Sequence, residues 1–169
     1  MVTVNSNEPG SVLITPPTSP DLFVGQSISL VAAVKNTAGV VITFPVVWST
    51  SDATIATVTS AGVLTGVKVG TVTVTGTAGG KSASVIINVK LVPVKSVTVT
   101  VKPSLLVGES SAAAVVSVDA QGNTLTGRGV AWASRNAGVA TVSSAGLVTA
   151  VAVGTATIEA VVEDRKSVV

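Results

Sequence analysis

Residues 55–74 read IATVTSAGVLTGVKVGTVTV, and residues 139–158 read VATVSSAGLVTAVAVGTATI. At a constant offset of 84 residues, twelve of these twenty positions are identical. The match extends outward, since Trp48 pairs with Trp132 at the same offset and Val24-Gly25 with Val107-Gly108 at an offset of 83. Solenoids and propellers repeat every ~20–50 residues, so this longer period indicates tandem whole domains. Each repeat is near the lower end of independently folding size. The chain has no Cys, so neither disulfides nor thiolate metal sites brace it, and each core must hold by packing. Val supplies 37 of the 169 residues and Thr is abundant, a composition that suits pleated, half-buried strands. The expectation is an all-β chain.

Alternation marks the strands. Residues 71–75, TVTVT, and 97–101, VTVTV, put Val on one face and Thr on the other. Turn signals at Asn36 to Gly39, Ala61-Gly62, Gly79-Gly80, Gly122-Asn123 and Ala145-Gly146 punctuate them at the spacing of a β-sandwich. In the first repeat strands are expected near 12–15, 27–35, 41–49, 56–59, 63–67, 71–78 and 81–89, and the second follows the same order from Ser96. The domain plan is an N-terminal arm or strand remnant over 1–9, a first domain over 10–91, a linker over 92–95 and a second domain over 96–169. Pro93 fixes its own φ and biases Val92 toward extended geometry, which predicts domains arranged end to end as a rod.

Composition also excludes classes of function. A net charge of +2, with ten basic residues scattered over both repeats, provides no concentrated basic face for nucleic acid. The aromatic residues are Phe23, Phe44, Trp48 and Trp132, too few for base or sugar stacking platforms. No run of 18 apolar residues exists, so no membrane span is expected. The first dozen residues carry neither a basic region nor an apolar stretch of the signal-peptide kind. Only 11% of residues are charged, and a Thr-, Ser-, Ala- and Gly-covered surface suits an assembly better than free solution.

Each repeat carries one Trp before a Ser-bearing turn, WSTS at 48–51 and WASR at 132–135. An aromatic at one equivalent place in both repeats is expected to plug the core between two sheets rather than stand exposed for a sugar. Around it lies a wider pattern: Val24-Gly25, Trp48-Ser49, residues 56–65 and residues 69–74, recurring as Val107-Gly108, Trp132, residues 140–149 and residues 153–158. That pattern resembles the bacterial immunoglobulin-like domains of group 2. Ala133, where such domains often carry Ser, is a departure of no consequence for the fold. The resemblance implies two tandem Ig-like, Greek-key β-sandwiches used as spacer or display modules, as in intimin- and invasin-like adhesins, surface-layer proteins and phage virion proteins. It carries over no catalytic residue and no common ligand.

The chain lacks His, Cys and Tyr, so Ser-His-Asp and Cys-His triads and His-ligated zinc are ruled out. Carboxylates remain at Glu8, Asp21, Asp52, Glu109, Asp119, Glu159, Glu163 and Asp164, spread over two repeats and without the aromatic platforms a glycosidase needs. Catalysis and cofactors are not expected. Asp119 and Asn123, with Gly122 between them, are weak calcium candidates, but the ligand density of a calcium loop is absent and a hairpin turn accounts for them better. Glu163-Asp164 is a second weak candidate.

The two ends are complementary. Residues 81–89 close the first repeat, whereas the second reaches Ser167, Val168 and Val169, with Val169 equivalent to Val85. Ser11-Val12 matches Ser96-Val97 at an offset of 85, so Met1, Val2, Thr3 and Val4 fall on residues 86–89. Three readings stay open here. The sequence is a piece of a longer array, or the last strand is short beside an N-terminal arm, or residues 1–4 complete the second domain of a neighbouring molecule by strand addition. The expected role is a non-enzymatic structural or adhesive module at the bacterial surface or outside the cell, with protein partners that include self-association. A phage capsid or tail decoration protein on the virion surface is the alternative, favoured by Met1 and the absent signal peptide. A carbohydrate-binding module ranks third.

Overall fold

The computed structural model describes residues 7–15, 17, 19–163 and 165–169. All regular structure in them is β. The chain divides into two compact units, residues 1–91 and 92–169.

Unit 1 contains β1 (Pro9–Thr15), β2 (Asp21–Phe23), β3 (Ser27–Ser29), β4 (Val31–Asn36), β5 (Val41–Ile42), β6 (Val47–Thr50), β7 (Ala56–Val58), β8 (Val63–Gly66), β9 (Gly70–Ala78) and β10 (Lys81–Lys90). A four-stranded sheet in the order β2-β10-β9-β6 faces two three-stranded ones, β1-β4-β5 and β3-β8-β7. The long β9–β10 hairpin organises it, pairing antiparallel from Lys81↔Ala78 to Val89↔Gly70. Its alternating Val and Thr put Val72, Val74, Ile87 and Val89 inward, where they meet Leu22, Leu30, Ala56 and Leu64 in one core cluster. A second cluster, Val12, Val34 and Ala78, sits under β1 and β4.

Unit 2 repeats the plan with β11 (Ser96–Thr100), β12 (Ser110–Ala112), β13 (Ala114–Val118), β14 (Thr124–Leu125), β15 (Ala131–Ser134), β16 (Ala140–Val142), β17 (Leu147–Ala150), β18 (Ile158–Val162) and β19 (Arg165–Val168). Its sheets are β11-β13-β14, β12-β17-β16 and β15-β18-β19. Ala140, Val148 and Ile158 form its core cluster, with Trp132, Leu105 and Ala156 against it.

The all-β class and the tandem sandwiches match expectation, while several strand bounds differ for physical reasons. The single strand expected over 27–35 is broken at the buried Leu30, whose amide bonds Gly62 O at 2.9 Å, so β3 and β4 serve different sheets. Ala113 repeats the switch through Gly146 O at 2.8 Å. The strand expected over 41–49 is two short pieces, since residues 43–46 around Pro45 make no ladder. Sequence pattern missed β2, which is only three residues long and pairs parallel with Asn88, Val89 and Lys90.

Residues 92–95, expected as a linker, are held within unit 2. Val94 is buried, its amide bonds Glu163 Oε2 at 3.4 Å, and Lys95 N bonds Val118 O at 2.7 Å. Arg128 Nη2 donates to Val92 O at 2.6 Å while its Nη1 pairs with Glu163 at 2.9 Å. Glu163 adopts φ 57°, where the first repeat places Gly79. The contacts of its carboxylate to Arg128 and Val94 accompany that strained geometry.

The repeated Ala-Gly also has a packing reason. Trp48 and Trp132 are half-buried against their cores, and each indole lies across the turn glycine, Gly62 at φ 79° or Gly146 at φ 80°. A Cβ on Gly146 would come within 2.9 Å of the Trp132 ring, and one on Gly62 within 3.0 Å of Trp48 Nε1. Gly146→Ala and Gly62→Ala are each expected to cost about 2–3 kcal/mol, from left-handed backbone strain plus ring overlap. Urea unfolding checks this, and a loss below about 0.5 kcal/mol would refute the stacking.

Candidate functional site

The calcium candidates Asp119 and Asn123 form a closed turn. Asp119 Oδ1 accepts from Gln121 N at 2.9 Å and Asn123 N at 2.8 Å, and Oδ2 accepts from Asn123 Nδ2 at 2.9 Å. In unit 1 the buried Asn36 does the same work, its Oδ1 accepting from Ala38 N at 3.0 Å and Val40 N at 2.9 Å. The same Asx hydrogen bonding of a hairpin turn thus recurs in both units, once built on a neutral amide. Among the described residues no group of three acidic, His or Cys side chains could hold a metal ion. Asp164 lies outside the described residues.

Hydrogen bonds from the Asn123 side chain, then from the turn amides, hold the Asp119 carboxyl below the ordinary carboxylate value of 3.8. A depressed folded pKa gives stability that is present above the unfolded value and lost as pH falls through the folded one. Asp119→Asn is therefore expected to leave stability at pH 7 nearly unchanged, as Asn36 shows the amide fits, and to flatten the acid limb below about pH 4. Thermal melts at pH 7 and pH 2.5 on both proteins check this.

Other carboxylates are likewise engaged. Asp52 caps its own turn through Thr54 N at 2.8 Å, Asp21 pairs with Lys90 at 2.5 Å, and Glu109 pairs with Lys102. Glu159 on β18 takes Lys166 at 2.7 Å and Arg135, which together hold its carboxyl below the usual range, Lys166 contributing most. These contacts pin the β18–β19 hairpin where its ladder is short.

That short ladder opens the main feature of unit 2. Val169 still exchanges both backbone bonds with Ile158, at 2.8 and 2.9 Å. The same pair in unit 1 is Val85↔Val74, beyond which β10 runs on through Ile86–Lys90. Residues 154–157, equivalent to the first four of β9, and residues 104–106, equivalent to β2, are not strands. Between them runs a groove of about 470 Å³, lined by Val101, Leu105, Ala140, Val148, Ala156 and Val169 among others. In unit 1 the same space is filled by Ile87 and Val89, both at most 1% exposed.

The groove walls carry backbone groups as well as apolar side chains. Register places the N–H and C=O of Ala156 and Gly154 where Val72 and Gly70 bond Ile87 and Val89. On the far wall Pro103 and Val107 stand where Pro20 O takes Asn88 N at 2.8 Å and Val24 N reaches Lys90 O at 2.9 Å. Among the described residues, none of Gly154 N and O, Ala156 N and O, Pro103 O and Val107 N bonds another backbone group. Of the strand-exchange residues, Ser167 and Val168 lie in β19 and Val169 borders the groove; Met1, Val2, Thr3 and Val4 lie outside the described residues.

Two sandwiches of one plan, each with an indole across a turn glycine, define a tandem immunoglobulin-like protein. The bacterial Ig-like domain (group 2) matches twice, over residues 3–89 and 93–169, and the chain belongs to that family. Similar solved structures include surface layer protein SbsC, domains 1–6, with 19% identity over 95% of this chain and 26% of that one, at a TM-score of 0.44. The S-layer protein SbsC domains 4 and 5 give 21% identity over 96% of each chain, at 0.45. The Escherichia coli adhesin FdeC gives 18% identity over 99% of this chain and 65% of that one, also at 0.45. The chain thus spans about a quarter of the first of these structures. No curated protein sequence matches it.

Proposed function

We infer that the chain is a non-enzymatic structural module of a bacterial surface or extracellular assembly, acting through protein–protein contacts. Family membership over nearly the whole chain carries this reading. The disposition of the acidic groups supports it, since Asp21, Asp52, Glu109, Asp119, Glu159 and Glu163 are each spent on an ion pair or a turn. Among the described residues no helix is long and apolar enough to cross a membrane.

The test is localisation in the producing organism. Protease shaving of intact cells should remove the chain, and washed envelopes or culture fluid should contain it. Recovery with purified phage particles would replace this reading with a virion role, and confinement to the cytoplasm would end it. A glycan array in which a sugar binds reproducibly, and is lost on mutating a loop, would overturn the purely structural assignment.

A further inference from the structure

We propose that the outward face of the β1-β4-β5 sheet in unit 1 docks a second copy of this chain, through the outward face of that copy's β11-β13-β14 sheet. The inference rests on the reading of a module that acts through protein contacts, and names the partner. Surface localisation can hold while this contact fails, so the two are tested apart.

The two sheets are equivalent strand for strand, yet their outward faces have opposite relief. In unit 1 the core takes Val12, Ile14 and Val34. The alternate positions face away and pair across the strands as Leu13↔Ala33, Thr15↔Val31 and Lys35↔Val41. Leu13, Val31 and Val41 stand out at 57%, 62% and 63% exposure, one on each of three neighbouring strands. At the centre lies the small, half-buried Ala33, so the face is a hollow with an apolar rim. Single exposed apolar side chains need no explanation, whereas a contiguous group on a sheet marks a contact surface.

In unit 2 the same three pairs are Thr98↔Val116, Thr100↔Ala114 and Val118↔Thr124. Thr98 stands where unit 1 has Leu13, Ala114 where it has Val31, and Thr124 where it has Val41. Each rim position has become smaller or more polar. Only the centre has grown, since Val116, at 49% exposure, replaces Ala33. The unit 2 face is a knob on lower ground.

Relief and charge together select the occupant. Facing sheets pack about 10 Å apart with their side chains interdigitated, so Val116 fits over Ala33 while the Leu13, Val31 and Val41 rim meets the smaller residues around the knob. Two unit 1 faces would set rim on rim, leave the hollow empty and bring Lys35 towards its own copy. Two unit 2 faces would set knob on knob. The outward positions of β11, β13 and β14 carry no charge, so nothing there repels Lys35, whose long stem lets its amine reach solvent at the edge. The contact is heterologous, and each chain carries one surface of either kind. A three-stranded face this short offers less than the roughly 800 Å² per partner of a standard interface, so a single contact is weak and gains strength by repetition in an assembly.

The test uses the full chain. Light scattering over a concentration series should show mass rising above the monomer. Ala33→Glu and Val116→Glu, both at outward strand positions, should each weaken association by at least about tenfold while melting like the parent. Leu13→Ser with Val41→Ser lowers the rim without adding charge and should weaken it in the same direction. Thr57→Glu, at an exposed position on β7 of a different sheet, should leave association unchanged. Mixed in equal amounts, the Ala33→Glu and Val116→Glu chains should associate again and stop at dimer, because one keeps the knob and the other the hollow. A monomer at every parent concentration, a mixture that stays monomeric, or association lost with only one of the two Glu variants overturns the proposal.

Discussion

Leu64→Ala is expected to cost unit 1 about 3–5 kcal/mol, a large part of the stability of a domain this small. Leu64 is fully buried at the centre of β8, within the cluster made by Leu22, Val72, Val74 and Ile87. Its neighbours in that cluster come from two sheets, Leu22, Val72, Val74, Ile87 and Val89 from β2-β10-β9-β6 and Ala56 from β3-β8-β7. A cavity there cannot close by moving one side chain, so the truncation is felt near the upper end of the usual range. Unit 1 should melt at least about 15 °C lower. Val148, the counterpart in unit 2, is smaller and borders the open groove. Val148→Ala should therefore cost only about 1.5–3 kcal/mol. Differential scanning calorimetry of the two variants checks the contrast, and a Leu64→Ala loss no greater than that of Val148→Ala would contradict the placement of the core.

Which parts of this structure were legible beforehand follows from how local each cause is. The β9–β10 hairpin was readable because Val and Thr alternate through it and Gly79-Gly80 mark its turn. The Asn36 and Asp119 turns were readable because an Asx side chain bonds amides two and four residues on. Strand β2 was not, since three residues cannot show a period and its partner lies 67 positions away, Asn88 for Asp21. The sheet switch at Leu30 was hidden for a similar reason, because the Gly62 carbonyl that its amide bonds lies 32 positions away. Residues 92–95 looked like a linker, as Pro93 suggests, but Arg128, Glu163 and Arg165 reach them from far along the chain.

The groove was half legible. Counting equivalent positions at the two ends shows that the last strand of unit 2 stops at the counterpart of Val85. Counting does not show that residues 104–106 and 154–157 are outside the strands, or that a lined channel runs between them. Strand pairing is cooperative, because a strand without a partner has no ladder to hold it.

The same cooperativity sets the largest expected effect, at Ile87. Ile86 and Ile87 are adjacent and chemically identical, yet the pleat sends one outward at 60% exposure and the other inward at 0%. Ile86→Asp should cost about 1 kcal/mol or less, a matter of strand preference on a solvated face. Ile87→Asp buries an unpaired carboxylate in an apolar cluster, and a loss of about 4–5 kcal/mol or more is expected at neutral pH. The charge is only part of the reason. Within its sheet β2 pairs with β10 alone, so expelling the end of β10 also releases Asp21–Phe23 and uncovers Leu22, which is fully buried. Amide exchange should report faster exchange at Leu22 and Val72 as well as along β10. If exchange quickens at residue 87 alone, or if the two Asp variants cost the same, the closing strand does not hold its neighbours in place.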